Sequence, residues 1–183
     1  MQYIETQVAG CLVVELEPRG DDRGFFARLF CAKEFTDRGL EGSIAQINNS
    51  VSTHAGTLRG LHYQIAPAGE VKLVRCLRGS AFDAVVDLRP RSPTFGKWVG
   101  ETLTADNRRM MYVPKGCAHG FLTLENDTEM LYPVTAPYSA AAERIVRWDD
   151  PKFGIRWPRN PTVISDKDRN AVDYDPSHNG PGY

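Results

Sequence analysis

The sequence has little with which to build a metal knot or a cross-linked scaffold. Its four cysteines, Cys11, Cys31, Cys76 and Cys117, are widely spaced with no CxxC pair, so buried thiols are expected rather than a zinc site or a disulfide framework. No apolar run approaches the roughly 20 residues of a membrane helix. The stretch MQYIETQVAGCLVVELEPRG has neither the basic start nor the cleavage region of a signal peptide, so a cytoplasmic protein with no membrane partner is expected. Charge of one sign is missing too. Lys and Arg number 22 against 23 Asp and Glu, which leaves no global field to draw in nucleic acid or anionic lipid. Any anion site must be local. Internal repeats and low-complexity tracts are also absent, which excludes solenoids, propellers and disordered interaction proteins.

What the chain does have is 183 residues, 42% of them hydrophobic, which suits one domain over 1–183 with a sizeable core. Short apolar runs separated by Gly, Pro, Asn or Asp recur along it: 10–16, 57–64, 71–77, 82–88, 110–113, 120–124 and 130–135. This rhythm predicts an all-β barrel or sandwich. Arg78-Gly79-Ser80 joins two of these runs and reads as the turn of a tight hairpin, with Gly79 at positive φ. The best helical candidate, Ala32 to Arg38 stopped by Gly39, is too short to stand without packing and is expected to cover one end of the barrel. The Pro-rich stretch DDPKFGIRWPRNP suits an irregular wrap around the barrel, and residues 175–183 are expected to be loose.

Four histidines occur, and two of them, His62 in GTLRGLHYQ and His119 in PKGCAHGF, sit among glycines and polar groups. Strand glycines mark bulges or close backbone approaches, so Gly56 and Gly60 single out the strand that carries His62. Strict alternation puts Arg59 and His62 on opposite faces; a bulge at Gly60 puts both on one cavity, and both arrangements remain open. Lys72, Val74 and Cys76 share a strand face, as do Asp83, Val85 and Asp87. Asp83 is the expected counter-ion if Lys72 faces inward. Arg23, Arg59 and Lys72 together would make a local cationic site fit for a diphosphate. Tyr132 and Tyr138 flank an apolar turn. A metal-binding barrel of the cupin type usually carries an HxH pair, but here the segment reads His62-Tyr63-Gln64, so a metal-free site is expected.

DDRGFF, GTLRGLHYQ, KLVRCLRGSAFDAVVDLRPRSPTFGKW, PKGCAHGF, PYSAAAE with RWDDP, and ISDKD resemble, in order and spacing, the dTDP-4-dehydrorhamnose 3,5-epimerases from about Asp21 to Asp168. The resemblance implies a cupin-type jelly roll that acts as a homodimer on a nucleotide-sugar without cofactor or metal. It makes His62 the base beside the 4-keto group, Asp168 its orienting carboxylate, Tyr132 the acid on the opposite face of the sugar, and Lys72 the cation for the 4-oxygen. It also implies substrate contacts for Arg23, Gln46, Asn48, Arg59, His119, Glu143 and Lys167, and a stacking role for Tyr138. At Arg28 the chain departs from the common pattern, which has a carboxylate there, a reversal that bears on which nucleotide or sugar fits. Mono-epimerisation at carbon 3 or carbon 5, a binding module without catalysis, and a metal-dependent cupin are the rival readings.

Overall fold

The computed structural model describes residues 1–182. Its strands are β1 (Gln2–Glu5), β2 (Leu12–Glu15), β3 (Arg19–Asp21), β4 (Gly24–Phe26), β5 (Gln46–Ser52), β6 (Thr57–Gln64) and β7 (Lys72–Arg78), followed by β8 (Ser80–Asp87), β9 (Trp98–Thr104), β10 (Met110–Val113), β11 (Cys117–Thr123), β12 (Thr128–Val134), β13 (Glu143–Ile145) and β14 (Val163–Ile164). Three short helices interrupt them: α1 (Ala32–Thr36), α2 (Asp166–Arg169) and α3 (Pro176–Asn179). One six-stranded sheet runs β1-β2-β10-β7-β12-β5, and the other runs β13-β6-β11-β8-β9 with β14 beside β6. The two sheets face each other without closing into a ring, the flattened barrel of a cupin-type jelly roll.

Alternation along the strands builds the core. Val74, Cys76, Ala81, Val85, Met111, Val113, Cys117, Phe121 and Met130 meet between the sheets as one buried cluster. A second cluster, with Leu61, Tyr63, Val86 and Ala118, lies on the back of the second sheet, where Phe153, Ile155 and Trp157 cover it. The irregular wrap expected of DDPKFGIRWPRNP is this cover.

The hairpin expected around Gly79 does not form. β7 bonds to β10 and β12, whereas β8 bonds to β11 and β9, so Gly79, at φ +73°, turns a corner from one sheet into the other. Alternation identifies strands and their faces but carries no information about which strands are neighbours. The helix also sits elsewhere than expected. It ends at Thr36, and Phe35 packs with Val14, Leu73, Met110 and Tyr112 on the outer face of the first sheet, not at an end of the barrel.

The segment expected to be loose makes contacts with the barrel as far as it is described. Asn179 is buried, its carbonyl accepts from the Tyr63 hydroxyl, and the carbonyl of Pro181 accepts from the N–H of Ala66 at 3.0 Å. Tyr183 lies outside the described residues.

Candidate active site

Two glycines in contact determine how β6 presents its side chains. In the pairing of β6 with β11, His62 lies opposite His119 and Arg59 opposite Phe121, so two residues on β6 face one on β11. This bulge settles the open alternation, because it turns Arg59 and His62 toward the same cavity. Gly60 sits at φ +124°, and a Cβ there would meet the Gly120 Cα at 2.5 Å. Gly60→Ala therefore has to break the bulge. The expected loss is at least about 2 kcal/mol, seen as a melting temperature lower by about 4–8 °C for a chain of this size. An unchanged melting temperature would show that the strand can relax around a methyl group.

The cavity, about 450 Å³, opens between the sheets and is lined by Arg59, His62, Lys72, His119, Tyr132 and Asp168 among others. An adjoining cleft of about 260 Å³ shares His62, Lys72 and Tyr132 with it and adds Gln46, Asn48, Glu70, Tyr138 and Glu143. His62 stands on the second sheet and Tyr132 on the first, so the two come from opposite walls.

Asp168 reaches His62 from 106 residues away because β14 runs parallel to β6 and leads directly into α2. The Ser165 hydroxyl caps that helix by accepting from the Asp168 N–H at 3.1 Å. The Asp168 carboxylate then accepts from His62 Nε2 at 2.6 Å and from the Gly60 N–H at 3.3 Å. Burial works to raise its pKa, but these bonds and the His62 charge bring it below the ordinary carboxylate value. With a hydrogen on Nε2, the lone pair of His62 is left on Nδ1.

Burial also raises the pKa of the Tyr132 phenol, with Glu70 adding to the effect and Arg59 opposing it, so the phenol keeps its proton at neutral pH. Lys72 is buried. Its Nζ donates to the His62 carbonyl at 3.3 Å and stands 3.4 Å from Glu70 Oε1. Asp83, the expected counter-ion, bonds instead to His119 at 2.7 Å, since β7 and β8 belong to different sheets. Glu70 was missed by the sequence reading, although its position two residues before Lys72 on an extended chain puts it on the same side.

At the mouth, Glu143 accepts from the Tyr138 hydroxyl at 3.0 Å and from Lys167 Nζ at 2.6 Å. Burial raises the Glu143 pKa, but those two bonds bring it below its usual range. Tyr138, 60% exposed, leaves its ring face open. The Gln46 side chain accepts from the Tyr138 N–H, and Asn48 lies across from Tyr132 on β5.

Arg23 and Arg28 do not join this group. The hairpin of β3 and β4 pairs only with itself; Arg23 folds back on Asp21 and Arg28 bonds Glu34 at 3.0 Å. The cationic site foreseen from Arg23, Arg59 and Lys72 thus keeps only the last two within one chain.

A family model described as dTDP-4-dehydrorhamnose 3,5-epimerase matches residues 5–175. This protein belongs to that family. A dTDP-4-dehydrorhamnose 3,5-epimerase of Sinorhizobium fredii is 45% identical over 169 residues, which are 92% of this chain and 87% of the relative. The crystal structure of the Legionella pneumophila epimerase in complex with dTDP-4-keto-L-rhamnose is 38% identical and superposes with a TM-score of 0.90, covering 100% of this chain and 98% of that one. A 3'-monoepimerase of Streptomyces bikiniensis, in complex with dTDP-quinovose, is 35% identical with a TM-score of 0.85, over 93% of this chain and 86% of that one. Among the described residues no three His, Cys, Asp or Glu side chains gather as they would around a metal, and no helix is long and apolar enough to cross a membrane.

Proposed function

We propose that this protein epimerises dTDP-4-dehydro-6-deoxy-D-glucose to dTDP-4-dehydro-L-rhamnose, inverting carbon 3 and carbon 5 in turn. The observation that carries the reading is the opposition of His62, oriented by Asp168, to a protonated Tyr132 across one cavity. Both carbons flank the 4-keto group, so loss of a proton from either moves an electron pair onto the 4-oxygen. His62 Nδ1 takes that proton from one face of the ring, and the Tyr132 phenol returns one from the other, which is what inversion requires. Lys72 Nζ, in the same cavity, is the cation that stabilises the enolate oxygen, with Glu70 holding it in place. The steps are redox-neutral and need no cofactor.

Arg59 and His119 at the inner cavity hold the sugar diphosphate and sugar ring. Gln46, Asn48, Glu143 and Lys167 hold the outer part, and Tyr138 stacks on the base. The protein works in the cytoplasm as a homodimer, in which Arg23 and Arg28 serve the cavity of the other copy. The exposed Phe25, Phe26, Ile47 and Val51 support a covered outer surface. Light scattering in solution should give twice the 20.4 kDa of one chain; a monomeric mass in fully active enzyme would remove the dimer and the role of both arginines.

The test of the reaction is proton NMR of dTDP-4-keto-6-deoxyglucose in deuterated water, with a 4-reductase to trap product. Deuterium at both carbons with L-rhamnose formed is the expected result. Deuterium at one carbon alone assigns a mono-epimerase, and none at either would overturn the reading.

A further inference from the structure

Asp83 is a charged side chain for which the proposed chemistry has no use. It is wholly buried on β8, and its Oδ1 has no hydrogen-bond partner among the described residues. Its Oδ2 lies 2.7 Å from His119 Nε2. The register explains the pairing. His119 on β11 sits opposite Val85, so Asp83, two residues along, is its diagonal neighbour on the same face. On its other side His119 sits opposite His62. Asp83, His119 and His62 therefore stand in a row across the inner face of the second sheet, with His119 and His62 at the cavity and Asp83 behind them.

A carboxylate with one oxygen unpartnered in a packed interior is costly, and an apolar residue of similar size would be tolerated there at least as well. Its retention has to be read through its single partner. A carboxylate only accepts, so the bond to Oδ2 requires a hydrogen on His119 Nε2. Nδ1 makes no bond within the protein among the described residues, and the ring lines the cavity. The cations there, Lys72, Arg59 and Lys167, can only donate, and the Asp168 carboxylate is already taken by His62 and the Gly60 N–H, whereas the hydroxyls of a sugar need acceptors as well.

Building on the proposed reaction, we infer that Asp83 is a positioning residue for His119: it pins the Nε2–H form of the ring so that Nδ1 accepts a hydrogen bond from a hydroxyl of the sugar and sets the ring between His62 and Tyr132. A ring free to change tautomer would present an N–H to the same hydroxyl part of the time and lose that register. A site built to accept from a hydroxyl also rejects the corresponding deoxy sugar, because its lone pair would be left unmet.

Asp83→Asn keeps the shape and lets either tautomer form. With dTDP-4-keto-6-deoxyglucose, kcat/KM should fall about tenfold or more, the worth of one lost hydrogen bond. His119→Asn should cost a similar factor, and Asp83→Asn added to it should cost nothing further, since Asp83 acts only through the ring. Long-range ¹H–¹⁵N spectra of the ligand-free wild-type protein should show His119 with its hydrogen on Nε2 and a bare Nδ1, and this measurement stands even if the Asp83 variant does not fold. Multiplying losses in the double variant, or a wild-type His119 with its hydrogen on Nδ1, would overturn the inference. A wild-type enzyme that leaves this substrate untouched would overturn the proposed reaction instead, while the spectra would still decide the tautomer.

Discussion

His62→Ala is expected to abolish the exchange of the substrate's C3 and C5 protons with solvent while leaving the jelly roll folded. Lacking the imidazole, the cavity retains its cation at Lys72 and its acid at Tyr132, but the one imidazole left there, His119, is taken up in holding a sugar hydroxyl rather than in meeting a ring proton. A positioned base contributes about 10²–10⁴-fold, so kcat should drop by about that factor, or about 3–5 kcal/mol in barrier. The fold should survive, because the His62 side chain is already 32% exposed to the cavity and Asp168 keeps the Gly60 N–H. Deuterium incorporation followed by NMR, beside a melting curve, measures both. Exchange persisting within tenfold of wild type would mean that another group removes the proton.

The second large effect should separate the two halves of the reaction. Tyr132→Phe keeps the ring that packs against the buried core and removes only the proton donor. His62 can still take a proton and give back a deuteron on the same face, so exchange should continue within about tenfold of wild type. Inversion should fall by about 10²–10⁴-fold, the range for one acid catalyst. The same deuterium experiment, with and without the trapping reductase, reads exchange and inversion separately. Equal loss of both would make Tyr132 a positioning group and require another donor on that wall.

Much of this was legible in the sequence because it depends on local chemistry. Short runs bounded by Gly, Pro and Asn indicated strands, since a strand's period of two and the residues that end it are written within a few positions. Gly60, followed two residues later by His62, marked a strand that breaks its own alternation, and the resemblance of the motifs brought in Asp168 and Tyr132. Neither a salt bridge nor a strand neighbour is written that way. Lys72 and Asp83 looked like partners because their strands are consecutive, yet the corner at Gly79 sends those strands into different sheets.

The sequence by itself therefore determined the class of fold, the residue types available for proton transfer, and the near-neutral charge that makes any anion site local. Tertiary structure alone decided their use. It laid β14 along β6 and so brought Asp168 to His62, turned Arg59 and His62 to one cavity through the bulge against Gly120, and gave Asp83 to His119 and Glu70 to Lys72. The physical reason is that hydrogen bonds and ion pairs depend on distances of about 3 Å, and such distances between residues far apart in the chain are set by which strands pair and in what register.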